Sequence, residues 1–98
     1  MDEDKDNVGM TDSIVEQAIR DILAERQRQD EKWGEQNHSP FAWTTILVEE
    51  VGEFAQAALH YKFGGPAAIN LRAEMIHVAA VALQIIECID RDNWSWTQ

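Results

Sequence analysis

Three glutamates stand where the chain otherwise favours burial. In the stretch ILVEEVGEFAQAAL, Glu49, Glu50 and Glu53 interrupt apolar residues. Glu50 and Glu53 are spaced i, i+3 and Glu49 and Glu53 i, i+4, so a helix projects all three from one side. Carboxylates crowded in this way repel one another and weaken the helix unless a cation lies among them. Gly52 adds about 1 kcal/mol of helix cost relative to alanine. Set among the acids, it is expected to admit another helix or a ligand close to the backbone. A second polar pair, Glu74 and His77, again i, i+3, stands where the most apolar run of the chain begins. Such oxygen ligands with spare positions suit Mg²⁺ or Mn²⁺, which keep waters and take phosphates as further ligands. The competing reading is a solvated acidic face. It stays open for Glu49, whereas the apolar surroundings of Glu50, Glu53, Glu74 and His77 favour a metal site.

The elements that must carry these groups are helices. Residues 1–10, MDEDKDNVGM, hold four acids and one lysine without apolar periodicity, and are expected to be a disordered tail ahead of one all-helical domain over residues 11–98. A first helix is predicted from about Thr11–Ser13, where Ser13 and Glu16 have capping-box spacing, with Ile14, Ala18, Ile22 and Leu23 as its apolar stripe. It crosses the polar ERQRQDEK segment and stops at Gly34. A second helix starts at Ser39 as N-cap with Pro40 at its first position, and ends near Phe63 before Gly64 and Gly65. A third opens with Pro66 and runs to about Arg91. The tight Gly-Gly-Pro connection makes the second and third helices antiparallel. Glu53 lies eleven residues before Gly64, and Glu74 and His77 lie eight and eleven residues after Pro66. The two polar pairs therefore fall at similar heights, around one point.

From Met75 to Ile89 the third helix is apolar on nearly every side, and such a helix must be covered all round. Two further helices, one mostly polar, cannot do that. The fold class expected is all-α, three main helices per subunit, with helical hairpins pairing into a four-helix core in a homodimer or homotetramer. Trp94 and Trp96 in the closing stretch are expected to pack against the domain or a partner subunit.

Composition bounds the function. Eight Lys and Arg against eighteen Asp and Glu give a net charge of −10 over 98 residues. That surface repels nucleic-acid backbones, so neither DNA nor RNA is expected as a partner. A small anion binds only if a cation mediates. No uncharged apolar run approaches the ~20 residues of a membrane span, and the acidic start is unlike a signal sequence, so a cytoplasmic protein without membrane attachment is expected. The single cysteine, Cys88, fits a reducing compartment and is read as a buried thiol.

With EEVGE at Glu49–Glu53 and AEMIHVAAVAL at Ala73–Leu83 on consecutive helices, the chain resembles the MazG-like, all-alpha nucleoside triphosphate pyrophosphohydrolases. The segment ERQRQDEKWGEQ, Glu25–Gln36, is similar to the lead-in of a phage and bacterial branch. The resemblance covers about two-thirds of the chain. It implies a metal motif of ExxE followed by ExxD, matched by Glu50, Glu53 and Glu74, with His77 standing at the Asp position. A neutral imidazole brings no negative charge and suits Mg²⁺ poorly, though Mn²⁺ accepts it. His77 is thus either a ligand or a residue packed behind the ligands. The implied reaction is attack of water on the triphosphate chain, giving a nucleoside monophosphate and pyrophosphate, with nucleotide-pool house-cleaning as the implied role. Glu49 or Glu50 would orient or deprotonate the water. Lys62 and Arg72, flanking the turn, are candidates to neutralise phosphate charge, and Trp33 and Trp43 are candidate stacking platforms for a nucleobase. For all four, surface or packing roles compete. Arg26, Arg28 and Lys32 are further cations that either reach phosphates or line a solvated face.

Two other readings use the same residues. One Glu from one helix with Glu-x-x-His from the next, doubled by a twofold axis, is the ligand set of ferritin-like di-metal carboxylate bundles. A non-catalytic nucleotide-binding helical dimer is the other.

Overall fold

The computed structural model describes the backbone of residues 2–92 and the side chains of residues 13–92; Trp94 and Trp96 lie outside the described residues. The chain is all-helical: α1 (Asp2–Trp33), α2 (Pro40–Phe63), a 3₁₀ segment (Pro66–Asn70) and α3 (Leu71–Asp90). Local chemistry accounts for the boundaries. Gly34 takes φ 72° and its N–H reaches the Asp30 carbonyl at 2.8 Å, the left-handed stop that closes α1. Ser39 is extended and its Oγ accepts from the Ala42 N–H at 3.1 Å, with Pro40 beginning α2 where no N–H is needed. Gly64, at φ 95°, ends α2 with its N–H on the His60 carbonyl.

The side chains of residues 2–12, which include most of the tail expected to be disordered, lie outside the described residues. One boundary differs from expectation. The third helix is not continuous from Pro66, since its first five residues wind as 3₁₀ before α3 begins at Leu71. Here the chain folds back over His60, whose Nδ1 accepts from the Ala67 N–H at 3.1 Å. Gly65 makes that possible, because a Cβ on it would collide with the His60 ring.

α3 is the central strut. It packs against both α1 and α2, and among the described residues α1 and α2 do not pack on each other. Among the described residues the buried apolar side chains are few: Trp43, Ala57, Ala80, Val81 and Cys88. Cys88 is fully enclosed, as expected of a packing thiol. The radius of gyration, 16.6 Å, exceeds the ~13 Å of a compact domain of this length. Ile86 and Ile89 of α3 stay half exposed, as do Leu23 of α1 and Val51 of α2. One chain therefore leaves α3 uncovered. By length and composition alone, Pro66–Asp90 also suffices to cross a membrane; its His77 and Glu87 meet charged groups of the other two helices.

The α1–α3 contact is clamped by a polar group. Arg26 is buried and forks onto the Glu87 carboxylate at 2.6 and 3.0 Å while bonding Asp30 on its own helix. It is thereby committed to structure rather than to a ligand. The guanidinium holds the Glu87 carboxyl below its ordinary range. Replacing one partner of a buried pair strands the other, but Glu87 is partly solvated, so Arg26→Met should destabilise by about 1–3 kcal/mol in urea unfolding. Because the folded pKa of Glu87 is depressed, this contribution exists above the unfolded carboxylate range and fades as pH falls through the folded value. The stability gap between wild type and Arg26→Met should accordingly narrow below about pH 4.

Candidate metal centre

Glu50 and Glu53 leave α2 on successive turns, and Glu74 and His77 do the same from the first turns of α3. The antiparallel hairpin sets them level. One ligand atom from each of the four lies within 4.8 Å of the others. His77 Nδ1 is 3.6 Å from Glu74 Oε2 and 3.8 Å from Glu50 Oε2. Those same two oxygens are buried and have no hydrogen-bond partner. Unsatisfied buried oxygens are rare in folded proteins and call for an explanation. Burial pushes the Glu50 carboxyl above its ordinary range, and the neighbouring Glu53 charge pushes it further. Glu53, though exposed, is also raised, chiefly by the adjoining Glu74 carboxyl. Three carboxylates and an imidazole with free lone pairs converging on one point form a donor set that suits a divalent cation.

A fourth carboxylate closes the arrangement from α1. Glu25 Oε1 is 3.8 Å from His77 Nε2, and its side chain is nearly buried. Arg28 donates to it from Nε at 2.9 Å and from Nη2 at 2.6 Å, and Gln29 adds a weaker contact at 3.4 Å. The Arg28 guanidinium holds the Glu25 carboxyl below its ordinary range. Sequence reasoning passed over Glu25 as part of a polar segment. The signal was available: after Ala18 and Ile22, the apolar stripe of α1 continues at helical spacing through Glu25, Arg26 and Gln29. Polar side chains therefore replace apolar ones on the face turned to α3, where Arg26 and Gln29 are buried.

The other candidates are placed elsewhere. Glu49 is exposed and is not among the four clustered groups. Gly52 was expected to admit a close approach, but a Cβ there would meet nothing within 4 Å, because this side of α2 faces open space. Trp43 is buried, meets the His38 ring edge-on at 4.8 Å, and borders an apolar cavity of about 320 Å³ with Leu47 and Ile85. Trp33 is 64% exposed, with the Lys32 ammonium 4.9 Å from its ring. Lys62 stands over Phe63 at the end of α2. Arg72 is drawn to Asp21 of α1 at 2.8 Å. The structure thus gathers Glu50, Glu53, Glu74 and His77, and leaves Glu49, Trp33, Trp43, Lys62 and Arg72 outside the cluster.

Comparison with known protein families, with characterised proteins and with solved structures finds no match.

A carboxyl with a raised folded pKa binds its proton more tightly folded than unfolded, so its ionisation lowers stability as pH rises through the folded value. In metal-free buffer at neutral pH, Glu50→Gln should therefore melt higher than wild type. A relief of 1 kcal/mol corresponds to about 4–8 °C in a domain of this size. The difference should shrink on acidification as the wild-type carboxyl protonates. A variant that melts lower than wild type at neutral pH would mean that Glu50 is not under strain.

Proposed function

We propose that the chain is a metal-dependent nucleoside triphosphate pyrophosphohydrolase that holds Mg²⁺ or Mn²⁺ between α2 and α3. The observation that carries the reading is the pair of buried, partnerless oxygens, Glu50 Oε2 and Glu74 Oε2, within a four-residue cluster. The resemblance of EEVGE and AEMIHVAAVAL to the MazG-like enzymes supplies the reaction.

Glu50, Glu53, Glu74 and His77 would hold the cation. When bound, the ion neutralises phosphate oxygens and acidifies a water molecule. Glu49 or Glu50 would orient the attacking water or take its proton. The water oxygen bonds to a phosphorus of the triphosphate chain and the anhydride P–O bond breaks, releasing nucleoside monophosphate and pyrophosphate. Substrate, metal and charge are linked, because a −10 chain accepts a polyphosphate only behind a cation. The natural setting of such chemistry is the nucleotide pool of the cytoplasm.

The working unit is a homodimer. Its support is the uncovered face of α3 and the apolar groove of about 380 Å³ between α1 and α3, bordered by Ile19, Ile22, Leu23, Leu83 and Ile86. Light scattering should return about twice the chain mass of 11.2 kDa, and Ile86→Glu should shift it toward a single chain. A wild-type mass of one chain would remove the dimer from the proposal.

A second reading, a di-metal carboxylate bundle, is favoured by one observation: His77 Nδ1 lies among the carboxylate oxygens. Oxo-bridged charge-transfer absorbance after aerobic loading with iron would support it.

The decisive assay offers a panel of canonical and modified nucleoside triphosphates, with Mg²⁺ and then Mn²⁺, and follows pyrophosphate release. Glu53→Gln should lower turnover at least 100-fold while leaving the oligomer intact. Absence of cation uptake in titration calorimetry, with and without nucleotide, would overturn the assignment.

A further inference from the structure

His77 is the residue at which this site departs from an all-carboxylate centre, and its two ring nitrogens have different neighbours. Nδ1 faces Glu50 and Glu74, whose near oxygens are buried and unpaired. Nε2 faces Glu25 on the other helix, and the Glu25 oxygens are already taken up by Arg28 and Gln29. We propose that Glu25 is a positioning residue that fixes His77 in its Nε2–H tautomer, so that the Nδ1 lone pair joins the Glu50, Glu53 and Glu74 carboxylates and biases the centre toward Mn²⁺ over Mg²⁺. This inference rests on the metal-centre reading above.

The division of roles follows from what each carboxylate has left to offer. Glu25 has its charge balanced by a forked guanidinium, which makes it a poor cation ligand. Its oxygens nevertheless keep lone pairs that accept an N–H. Glu50 and Glu74 have unpaired oxygens and no adjacent cation, which makes them ligands. A neutral imidazole has one N–H and one lone pair. With the proton on Nε2, the N–H points at Glu25 and the lone pair points into the cluster. With the proton on Nδ1, a lone pair would face the Glu25 carboxylate, and the N–H would occupy one of the oxygens the cation needs. A metal-bound histidine commonly passes its other N–H to a carboxylate, which fixes ring orientation and strengthens the ligand. The present 3.8 Å separation is longer than a hydrogen bond, and closing it takes a movement of roughly 1 Å. His77 is only half buried, and Arg28 lies on the exposed side of α1 and can follow. The metal preference comes from the imidazole: Mn²⁺ accepts nitrogen where Mg²⁺ holds to oxygen and water.

The test combines ¹⁵N NMR of the His77 ring with calorimetric titration of MnCl₂ and MgCl₂ into the wild-type chain, Glu25→Ala and Glu25→Gln. With MgCl₂ bound, wild type should show the Nε2–H tautomer, since without a cation the Glu50 and Glu74 oxygens compete for the ring proton at Nδ1. Glu25→Ala should mix the tautomers and weaken Mn²⁺ binding by about 10–100-fold, with Mg²⁺ affected much less, so that the Mn²⁺/Mg²⁺ ratio falls. Glu25→Gln keeps an acceptor oxygen and should restore most of both signals. A general loss of structure would not single out one tautomer or one ion, and melting curves of the variants identify it. The proposal is overturned if Glu25→Ala keeps the wild-type tautomer and ratio. It is equally overturned if both ions are lost to the same extent, which would make Glu25 a ligand. If wild type takes up neither ion, the metal-centre reading fails, whereas uptake of both ions with an unchanged ratio and tautomer in Glu25→Ala fails only the role of Glu25.

Discussion

Mutual repulsion among Glu50, Glu53 and Glu74 is the constraint around which the rest of the structure is arranged. Two of their oxygens are buried without partners, and two of the three carboxyls resist ionisation. The same two helices place Ala57, Ala80 and Val81 in the core, whereas Glu50 and Glu74 stand half-buried and Glu53 exposed. The hairpin instead brings the acids to one level. Among the described residues, Arg28 pairs with Glu25, the carboxylate that does not belong to the four-residue cluster. Local instability kept at one point, with compensation elsewhere, is the usual mark of a functional site.

Compensation comes from the far end of α3. There the Arg26–Glu87–Asp30 group joins α1 to α3 with charges that complement rather than repel. The two ends of α3 thus obey opposite electrostatic rules. Acidification relaxes the carboxylate cluster by protonating Glu50 and Glu53, and weakens the clamp by protonating Glu87. Between them lies the small apolar core, too small to hold three long helices by itself.

Much of this was legible in the sequence because the signals were local. Ser39 with Pro40, and the glycines at 34 and 64, fixed helix ends through backbone rules that need no tertiary information. The level pairing of Glu53 with Glu74 and His77 followed from counting residues across a short turn. The contribution of Glu25 was less accessible. Its role depends on how α1 rotates against α3, which the narrow stripe of Ile14, Ala18 and Ile22 only weakly determines. The 3₁₀ segment was missed because it depends on the His60 ring filling space that Gly65 leaves free. Gly52 misled because a glycine's open side has no direction in sequence, and here that side faces solvent. The family resemblance supplied a reaction, which neither helix geometry nor residue spacing contains.

One architectural feature reaches beyond the site. Since α1 and α2 lean on α3 and not on each other, a change in one outer helix reaches the other mechanically only through the middle one. Away from the Glu25–His77–Glu50 junction, substitutions confined to α1 and to α2 should then combine almost additively in folding free energy, whereas either paired with a contacting change in α3 should not. Thermodynamically the chain resembles two hairpins sharing one arm, and the shared arm tolerates variation least.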